Sequence, residues 1–150
     1  MKKYVFTLLC SLVFNSAALA HSNVELGPHG GRILEFSKNE SMHGEVVFKD
    51  NHLHIALLDK DMKPVAIAEQ ELTATSGDRA RPEKLPVEKK DGAFVVPAVK
   101  SGDWLVFQFR ENAKAKPVTA RLQYDLTPCG TCKEPEWLCK CPANGSGGKK

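Results

Sequence analysis

The chain has 150 residues, of which 42% are apolar and 26% are charged, and its formal net charge is +3. This length allows one ordinary domain or two small ones. The composition excludes a chain that is disordered throughout, and the small net charge disfavours a strongly basic nucleic-acid-binding protein.

The first 20 residues have the pattern of a secretory signal peptide. A positively charged start precedes an apolar run of about ten residues, and an Ala-x-Ala cleavage motif ends at Ala20. The apolar run is too short for a transmembrane helix, and no later stretch reaches the roughly 18 residues needed to span a bilayer. We therefore predict that residues 1–20 are removed and that the product is periplasmic or secreted, without stable membrane insertion. Loss of Lys2 and Lys3 leaves 19 basic against 18 acidic residues.

Most of the remaining chain alternates apolar and polar residues, which is typical of half-buried β-strands. In one such run Leu53, Ile55 and Leu57 share one face, and His52 and His54 share the other. Turn-forming residues separate the runs. In chain order, the predicted strands cover residues 32–36, 44–49, 52–58, 64–68, 71–75, 84–89, 93–96, 103–110 and 117–125.

About eight short strands, with no pattern for a helix of ten or more residues, predict an all-β fold. The turn spacing favours a small antiparallel β-sandwich of immunoglobulin-like type over residues 21–126. Residues 127–150 differ in composition and are predicted to be an irregular cysteine-rich tail with a disordered Gly/Ser/Lys end.

Four cysteines lie close together in this tail: Cys129, Cys132, Cys139 and Cys141. Their thiolates can converge on one ion, either in a tetrahedral site for zinc or in a site of lower coordination for Cu(I). Disulfides are an equally weighted alternative, because an exported protein meets an oxidising compartment. A bond between Cys139 and Cys141 is disfavoured by strain, so crossed pairs such as Cys129–Cys139 or Cys132–Cys141 are preferred. Thiol–disulfide exchange at the Cys-x-x-Cys pair is a weaker hypothesis, since no βαβ context surrounds it.

All five histidines fall in the first 34 residues after the signal: His21, His29, His43, His52 and His54. Histidine is the most common ligand of borderline transition metals. Cleavage after Ala20 places a free amine beside the imidazole of His21, a chelate typical of Cu(II). His52 and His54 are about 7 Å apart on one strand face, although for this pair alone a polar, solvent-facing strand face is the favoured interpretation.

Three stretches in the first half of the chain resemble a small periplasmic module that accompanies heavy-metal efflux. They are Gly27-Pro28-His29-Gly30-Gly31-Arg32-Ile33-Leu34-Glu35, His43-Gly44-Glu45-Val46-Val47, and Leu57-Leu58-Asp59 with Lys63-Pro64-Val65. Similar stretches occur near the N-termini of periplasmic adaptor subunits of resistance–nodulation–division metal pumps, and as free-standing secreted proteins.

This resemblance implies a β-sandwich that meets transition-metal ions in the periplasm, beside a metal efflux complex. It implies His29 and His43 as metal ligands, with Glu35 and Glu45 as oxygen ligands or structural acids. The cysteine tail lies outside the resemblance.

The sequence thus predicts an exported, non-enzymatic protein that binds copper or zinc ions for sequestration or handover. No serine-hydrolase, phosphate-loop or His-Glu-x-x-His motif is present. The alternative is a periplasmic protein–protein interaction module in which the cysteines form structural disulfides.

Overall fold

The structure is a computed structural model that describes residues 24–78 and 80–141. Over these ranges the chain forms ten β-strands and one short 3-10 helix. The strands are β1 (Arg32–Glu35), β2 (Met42–Lys49), β3 (His52–Asp59), β4 (Pro64–Val65), β5 (Glu71–Gly77), β6 (Glu83–Leu85), β7 (Glu88–Lys90), β8 (Ala93–Pro97), β9 (Trp104–Arg110) and β10 (Val118–Gln123), and the 3-10 helix is Glu136–Leu138.

The strands form two antiparallel sheets with immunoglobulin-like connectivity. One sheet has the order β1-β2-β3-β8-β7 with β4 on β3, and the other has the order β10-β9-β5-β6. Strands β2, β3, β8 and β7 follow the A-B-E-D order of an immunoglobulin sheet, and β10, β9 and β5 follow the G-F-C order of its partner. Strand β1 extends the first sheet beyond that pattern. The prediction of an all-β antiparallel sandwich is confirmed.

Alternation and turn chemistry explain why these segments pair as they do. In β3 the side chains of Leu53, Ile55 and Leu57 are buried, whereas His52 is exposed and His54 half-buried. The hairpin between β2 and β3 turns at Asp50 and Asn51, both with φ between 50° and 58°. Asp and Asn tolerate this left-handed conformation, and such turns match the twist of paired strands.

The predicted strand over residues 84–89 is in fact two strands. Strand β6 pairs with β5 in one sheet, and β7 pairs with β8 in the other. Pro86 lies between them and has no N–H group to donate to a strand ladder. The chain therefore passes between the sheets at this point, and the strand number is ten rather than about eight.

The core lies between the two sheets. Phe36, which follows β1, stacks on Phe109 of β9 with ring centroids 4.8 Å apart. Tyr124 follows β10 and is almost fully buried, and Trp137 of the cysteine-rich segment joins the same apolar cluster. Burying such aromatic rings removes large apolar areas from water and stabilises the closed sandwich.

Some sequence predictions fall outside the described residues. They are the signal peptide over residues 1–20, His21 at the expected mature N-terminus, and the disordered end of the tail. Within residues 24–78 and 80–141, no helix has the length and apolar composition that crossing a bilayer requires.

Candidate metal centre

The first two cysteines lie in a tight loop closed by backbone hydrogen bonds. The N–H of Cys129 donates to the carbonyl oxygen of Glu134 at 2.8 Å, and the N–H of Lys133 donates to the carbonyl of Cys129 at 3.1 Å. Pro128 and Pro135 form an isolated antiparallel bridge at the base of the loop. The left-handed conformation of Lys133, which has a φ of 69°, reverses the chain so that Glu134 returns to Cys129, and Cys132 lies within the loop closed in this way.

The second pair of cysteines follows the 3-10 helix, which returns the chain to this loop. The N–H of Glu136 donates to the carbonyl of Thr127 at 2.9 Å, and the N–H of Trp137 donates to that of Asp125 at 3.1 Å. The helix then ends at Cys139, whose N–H donates to the carbonyl of Glu136 at 3.2 Å. This path places Cys139 directly against Cys129.

Trp137 attaches the segment to the sandwich. Its side chain is buried, and its ring lies 5.2 Å from that of Tyr124 at an interplanar angle of 57°. The guanidinium of Arg32 in β1 donates a hydrogen bond to the carbonyl of Trp137 at 3.0 Å. Burial lowers the pKa of this guanidinium, as desolvation of a cation does. The cysteine-rich segment is therefore packed on the sandwich as part of one core.

The four sulfurs form one compact cluster. The Sγ atoms of Cys129 and Cys139 are 3.2 Å apart, and those of Cys132 and Cys139 are 3.6 Å apart. All four Sγ atoms lie within 4.8 Å of one another, and none of the four cysteines is in a disulfide. Cys129 and Cys139 are buried, Cys141 is half-buried and Cys132 is exposed.

Hydrogen bonds to sulfur set the protonation pattern of the cluster. The backbone N–H groups of Cys132 and Thr131, together with the thiol of Cys139, lower the pKa of Cys129 to about 7. Hydrogen bonding to Cys129 raises the pKa of Cys139 to about 12, because that thiol supplies the proton for the shared contact. A side-chain contact with Cys132 raises the pKa of Cys141. Donors aimed at a sulfur stabilise its thiolate, so Cys129 loses its proton more readily than an ordinary cysteine.

This donor set fits a thiophilic metal ion. Four sulfurs arranged tetrahedrally around zinc at about 2.3 Å are about 3.8 Å apart, and the observed separations bracket that value. Backbone N–H donors to a ligand sulfur are the outer contacts that orient such ligands. The four cysteines of the Cys-x-x-Cys and Cys-x-Cys pairs thus lie within metal-binding distance of one another.

His29 belongs to a loop that covers the outer face of β2. The N–H groups of His29 and Gly31 donate to Glu45 Oε1 at 2.7 and 3.0 Å, and the Nδ1 atom of His29 lies 2.7 Å from Glu45 Oε2. Glu45 is fully buried, whereas the imidazole of His29 is 59% exposed. A Cβ atom on Gly27 would stand 2.5 Å from the carboxyl carbon of Glu45, and one on Gly31 would stand 2.8 Å from its Cγ. The Gly-Pro-His-Gly-Gly stretch therefore forms a cradle for the Glu45 carboxylate.

His43 makes a similar contact on neighbouring strands. It lies opposite Glu35 in the register of β1 and β2, and its Nδ1 atom is 2.9 Å from Glu35 Oε1. His43 is buried, but Glu35 is 47% exposed. In both pairs a carboxylate orients the imidazole through Nδ1, which is a common arrangement for histidines that bind metals through Nε2.

The remaining described histidines lie apart from these pairs. His52 and His54 share the outer face of β3, and the Nδ1 atom of His52 is 2.8 Å from the carbonyl oxygen of Asp50. Over residues 24–78 and 80–141, the cysteine cluster is the single group of three or more His, Cys, Asp or Glu side chains that could hold one ion. The structure thus brings the four predicted cysteines together, whereas the described histidines belong to no group of three or more such side chains.

Two residues that matter for the centre carried no distinct signal in the sequence. Trp137 anchors the cysteine-rich segment, and Arg32 binds its backbone from 105 residues away. The position of Trp137 between the two cysteine pairs of a polar segment could have indicated its role, because large apolar rings are usually buried against a core.

An apolar groove of about 270 Å³ lies beside the centre. It is bordered by Gly31 of the loop, by Phe48 of β2, and by Leu126, Trp137 and Leu138. Phe48 and Leu126 are 46% and 44% exposed.

Comparison of the chain with known family models, curated proteins and solved structures finds no match.

Proposed function

We propose that this protein is an exported, non-enzymatic metal-binding protein that holds one transition-metal ion through Cys129, Cys132, Cys139 and Cys141. The single observation that carries the proposal is the convergence of four free thiols within 4.8 Å. Thiolates in this number select zinc or Cu(I) over hard cations such as magnesium and calcium.

The way the centre is built favours a site that forms on a finished fold. Backbone hydrogen bonds shape the Cys129 loop, and Trp137 and Arg32 attach the returning segment to the sandwich. The ligands are therefore brought together by protein contacts, and less of the binding free energy is spent on ordering them. Bound metal would neutralise the thiolates and hold the two cysteine pairs together.

The histidines suggest a second, weaker role in collecting ions. In the proposal, His29 and His43 present Nε2 from imidazoles that Glu45 and Glu35 orient. His52, His54 and the predicted N-terminal His21 would add further imidazoles for Cu(II) or Zn(II). Together with the predicted signal peptide, and with the resemblance to modules found beside metal pumps, this supports sequestration or handover of copper or zinc in the periplasm.

The direct test is titration of the reduced, folded protein with Zn(II), Cu(I) and Cu(II). We expect one zinc or Cu(I) ion to bind with a dissociation constant well below about 10 μM, the affinity that corresponds to about −7 kcal/mol. Cys139→Ser should abolish this tight binding, and the matched variant His52→Ala should leave it unchanged. Binding no tighter than about 10 μM for every ion would refute the proposal.

A second candidate function is a protein–protein interaction module, and the apolar groove is the observation that favours it. Phe48 and Leu126 expose large apolar side chains at its border, and such patches are enriched at docking sites. Thiol counting under denaturing, non-reducing conditions separates the two candidates. Four free thiols with co-purified zinc or copper support the metal centre, whereas two intact disulfides without metal support the interaction module.

A further inference from the structure

We propose that the metal centre is redox-regulated: a small-molecule disulfide such as oxidised glutathione joins Cys129 to Cys139 and so releases the ion. This inference rests on the proposed function, because it concerns regulation of the same four thiols. Four cysteines can form six different single disulfide bonds, and the inference selects one of them.

The choice of pair follows from the distances between the sulfurs. The Sγ atoms of Cys129 and Cys139 are 3.2 Å apart, and both residues are buried. A disulfide requires a sulfur separation of about 2.0 Å, so this pair needs a smaller approach than Cys132 and Cys139 at 3.6 Å. Once formed, the Cys129–Cys139 bond is shielded from external thiols, which favours its persistence over bonds at exposed positions.

The exposed ligand provides the point of entry. Cys132 is exposed, so its sulfur is the one that a dissolved disulfide reaches first. The sulfur of Cys139, 3.6 Å from that of Cys132, then attacks the mixed disulfide between Cys132 and glutathione. The sulfur of Cys129, 3.2 Å from that of Cys139, next attacks the resulting Cys132–Cys139 bond. Cys139 is thus the sulfur through which the exchange passes from the surface to the buried pair.

The reaction balances as three successive thiol–disulfide exchanges. In the first, a cysteine sulfur bonds to one sulfur of oxidised glutathione, the glutathione S–S bond breaks, and one reduced glutathione leaves. In the second, the Cys139 sulfur attacks that of Cys132, the bond from Cys132 to glutathione breaks, and the second glutathione leaves reduced. In the third, the Cys129 sulfur attacks that of Cys139, the Cys132–Cys139 bond breaks, and Cys132 leaves as a free thiolate. The two protein sulfurs have lost two electrons, and the glutathione disulfide has gained them. Each departing glutathione thiolate takes a proton from water at neutral pH.

Loss of two thiolates removes the tetrahedral sulfur site without undoing the fold around it. The contacts that dock the segment involve Trp137 and Arg32 rather than the sulfurs. Cys132 and Cys141 remain as free thiols, and two ligands cannot supply the four-coordinate environment that structural zinc requires. The oxidised protein therefore keeps its sandwich and gives up its ion.

The test uses zinc-loaded, full-length protein exposed to oxidised glutathione without air, then quenched with acid and N-ethylmaleimide. Trypsin cleaves after Arg121, Lys133 and Lys140, so Cys129 and Cys132 fall in peptide 122–133 and Cys139 falls in peptide 134–140. Fragmentation by mass spectrometry then locates the bond, while a chromogenic chelator follows free zinc. We expect zinc release to rise in parallel with a Cys129–Cys139 crosslink, with Cys132 and Cys141 alkylated.

Variants sharpen the assignment. Cys141→Ser should still form the crosslink, whereas Cys129→Ser should not, and mapping of the unmodified chain decides the question if Cys129→Ser fails to fold. A bond within peptide 122–133, a final bond at Cys132, or zinc release with all four cysteines alkylated would overturn the inference. If neither zinc nor Cu(I) binds, the proposed function fails. The pairing is then still tested by mapping the reduced, metal-free protein.

Discussion

The carboxylate of Glu45 is fully buried and accepts hydrogen bonds from the loop that covers it. Its donors are the N–H groups of His29 and Gly31 and the imidazole of His29. A buried carboxylate is tolerated only when its oxygens are well satisfied. Glu45 thus holds the Gly-Pro-His-Gly-Gly loop against the sheet, and this contact does not require a metal ion.

Glu45→Gln should lower the free energy of unfolding by about 1–3 kcal/mol, because a neutral amide replaces the charge-assisted hydrogen bonds that the buried carboxylate accepts from His29 and Gly31. The matched control is Glu35→Gln, since that side chain is 47% exposed and makes one contact to His43. We expect less than about 1 kcal/mol for the control. Urea denaturation followed by circular dichroism measures both, and equal losses in the two variants would contradict the cradle.

The lowered pKa of Cys129 makes the proton release on metal binding depend on pH. Zinc binds thiolates, so each ligand that is still a thiol gives up a proton. Cys129 has a pKa of about 7, so it is mostly a thiol at pH 6 and mostly a thiolate at pH 8. Zinc binding should therefore release about one proton fewer per ion at pH 8 than at pH 6.

Titration calorimetry in buffers of different ionisation enthalpy measures this proton count. The Thr131→Pro variant serves as a control, because it removes one of the N–H groups that face the Cys129 sulfur. In that variant the pKa of Cys129 should rise, and the step in proton release should move to higher pH. If proton release in Thr131→Pro changes over the same pH range as in the unmodified protein, this hydrogen bond does not cause the lowered pKa of Cys129.

Among the structural elements, the short 3-10 helix Glu136–Leu138 carries the tryptophan that attaches the cysteine-rich segment to the core. Trp137 is 4% exposed within the core cluster. Trp137→Ala should lower the free energy of unfolding by about 3–5 kcal/mol, since it leaves a large cavity against Tyr124. It should also weaken zinc binding, because the two cysteine pairs lose their shared anchor.

Trp104→Ala is the control for this element, because Trp104 lies in β9 and is 47% exposed. We expect a loss below about 1 kcal/mol there, with unchanged zinc affinity. Thermal denaturation and zinc titration of the two variants give the comparison. A zinc affinity that Trp137→Ala leaves intact would show that the cysteine pairs converge without the sandwich.

The strands were predictable because their signal is local. Alternation over His52–Leu58 and the Asp50-Asn51 turn each determine structure within a few residues, and the observed β3 and its hairpin agree with them. The assignment of β6 and β7 to different sheets depends on which strands lie nearby, which no short pattern encodes. The same limit applies to the site: cysteine spacing indicated the cluster, whereas Trp137 and Arg32 act across the whole chain.

At the scale of the whole molecule, the metal should stabilise the fold without creating it. The core cluster spans both sheets and includes few residues of the cysteine-rich segment. Removing zinc with a chelator should therefore lower the melting temperature while the β-sheet signal in circular dichroism persists. A free ion concentration 100 times the dissociation constant corresponds to about 2.7 kcal/mol of stabilisation. Cys139→Ser should melt at the same temperature with and without zinc, and a loss of β-sheet signal in the metal-free protein would refute the expectation.

The bond between Arg32 and the carbonyl of Trp137 closes a separation of 105 residues. A chain that is made from its N-terminus presents β1 early, and Tyr124 follows before any of the four cysteines. The surface that receives Trp137 is therefore complete in sequence when the thiols emerge. The four cysteines therefore follow, in chain order, the described residues on which Trp137 packs, so the surface that anchors their segment can form before they are made.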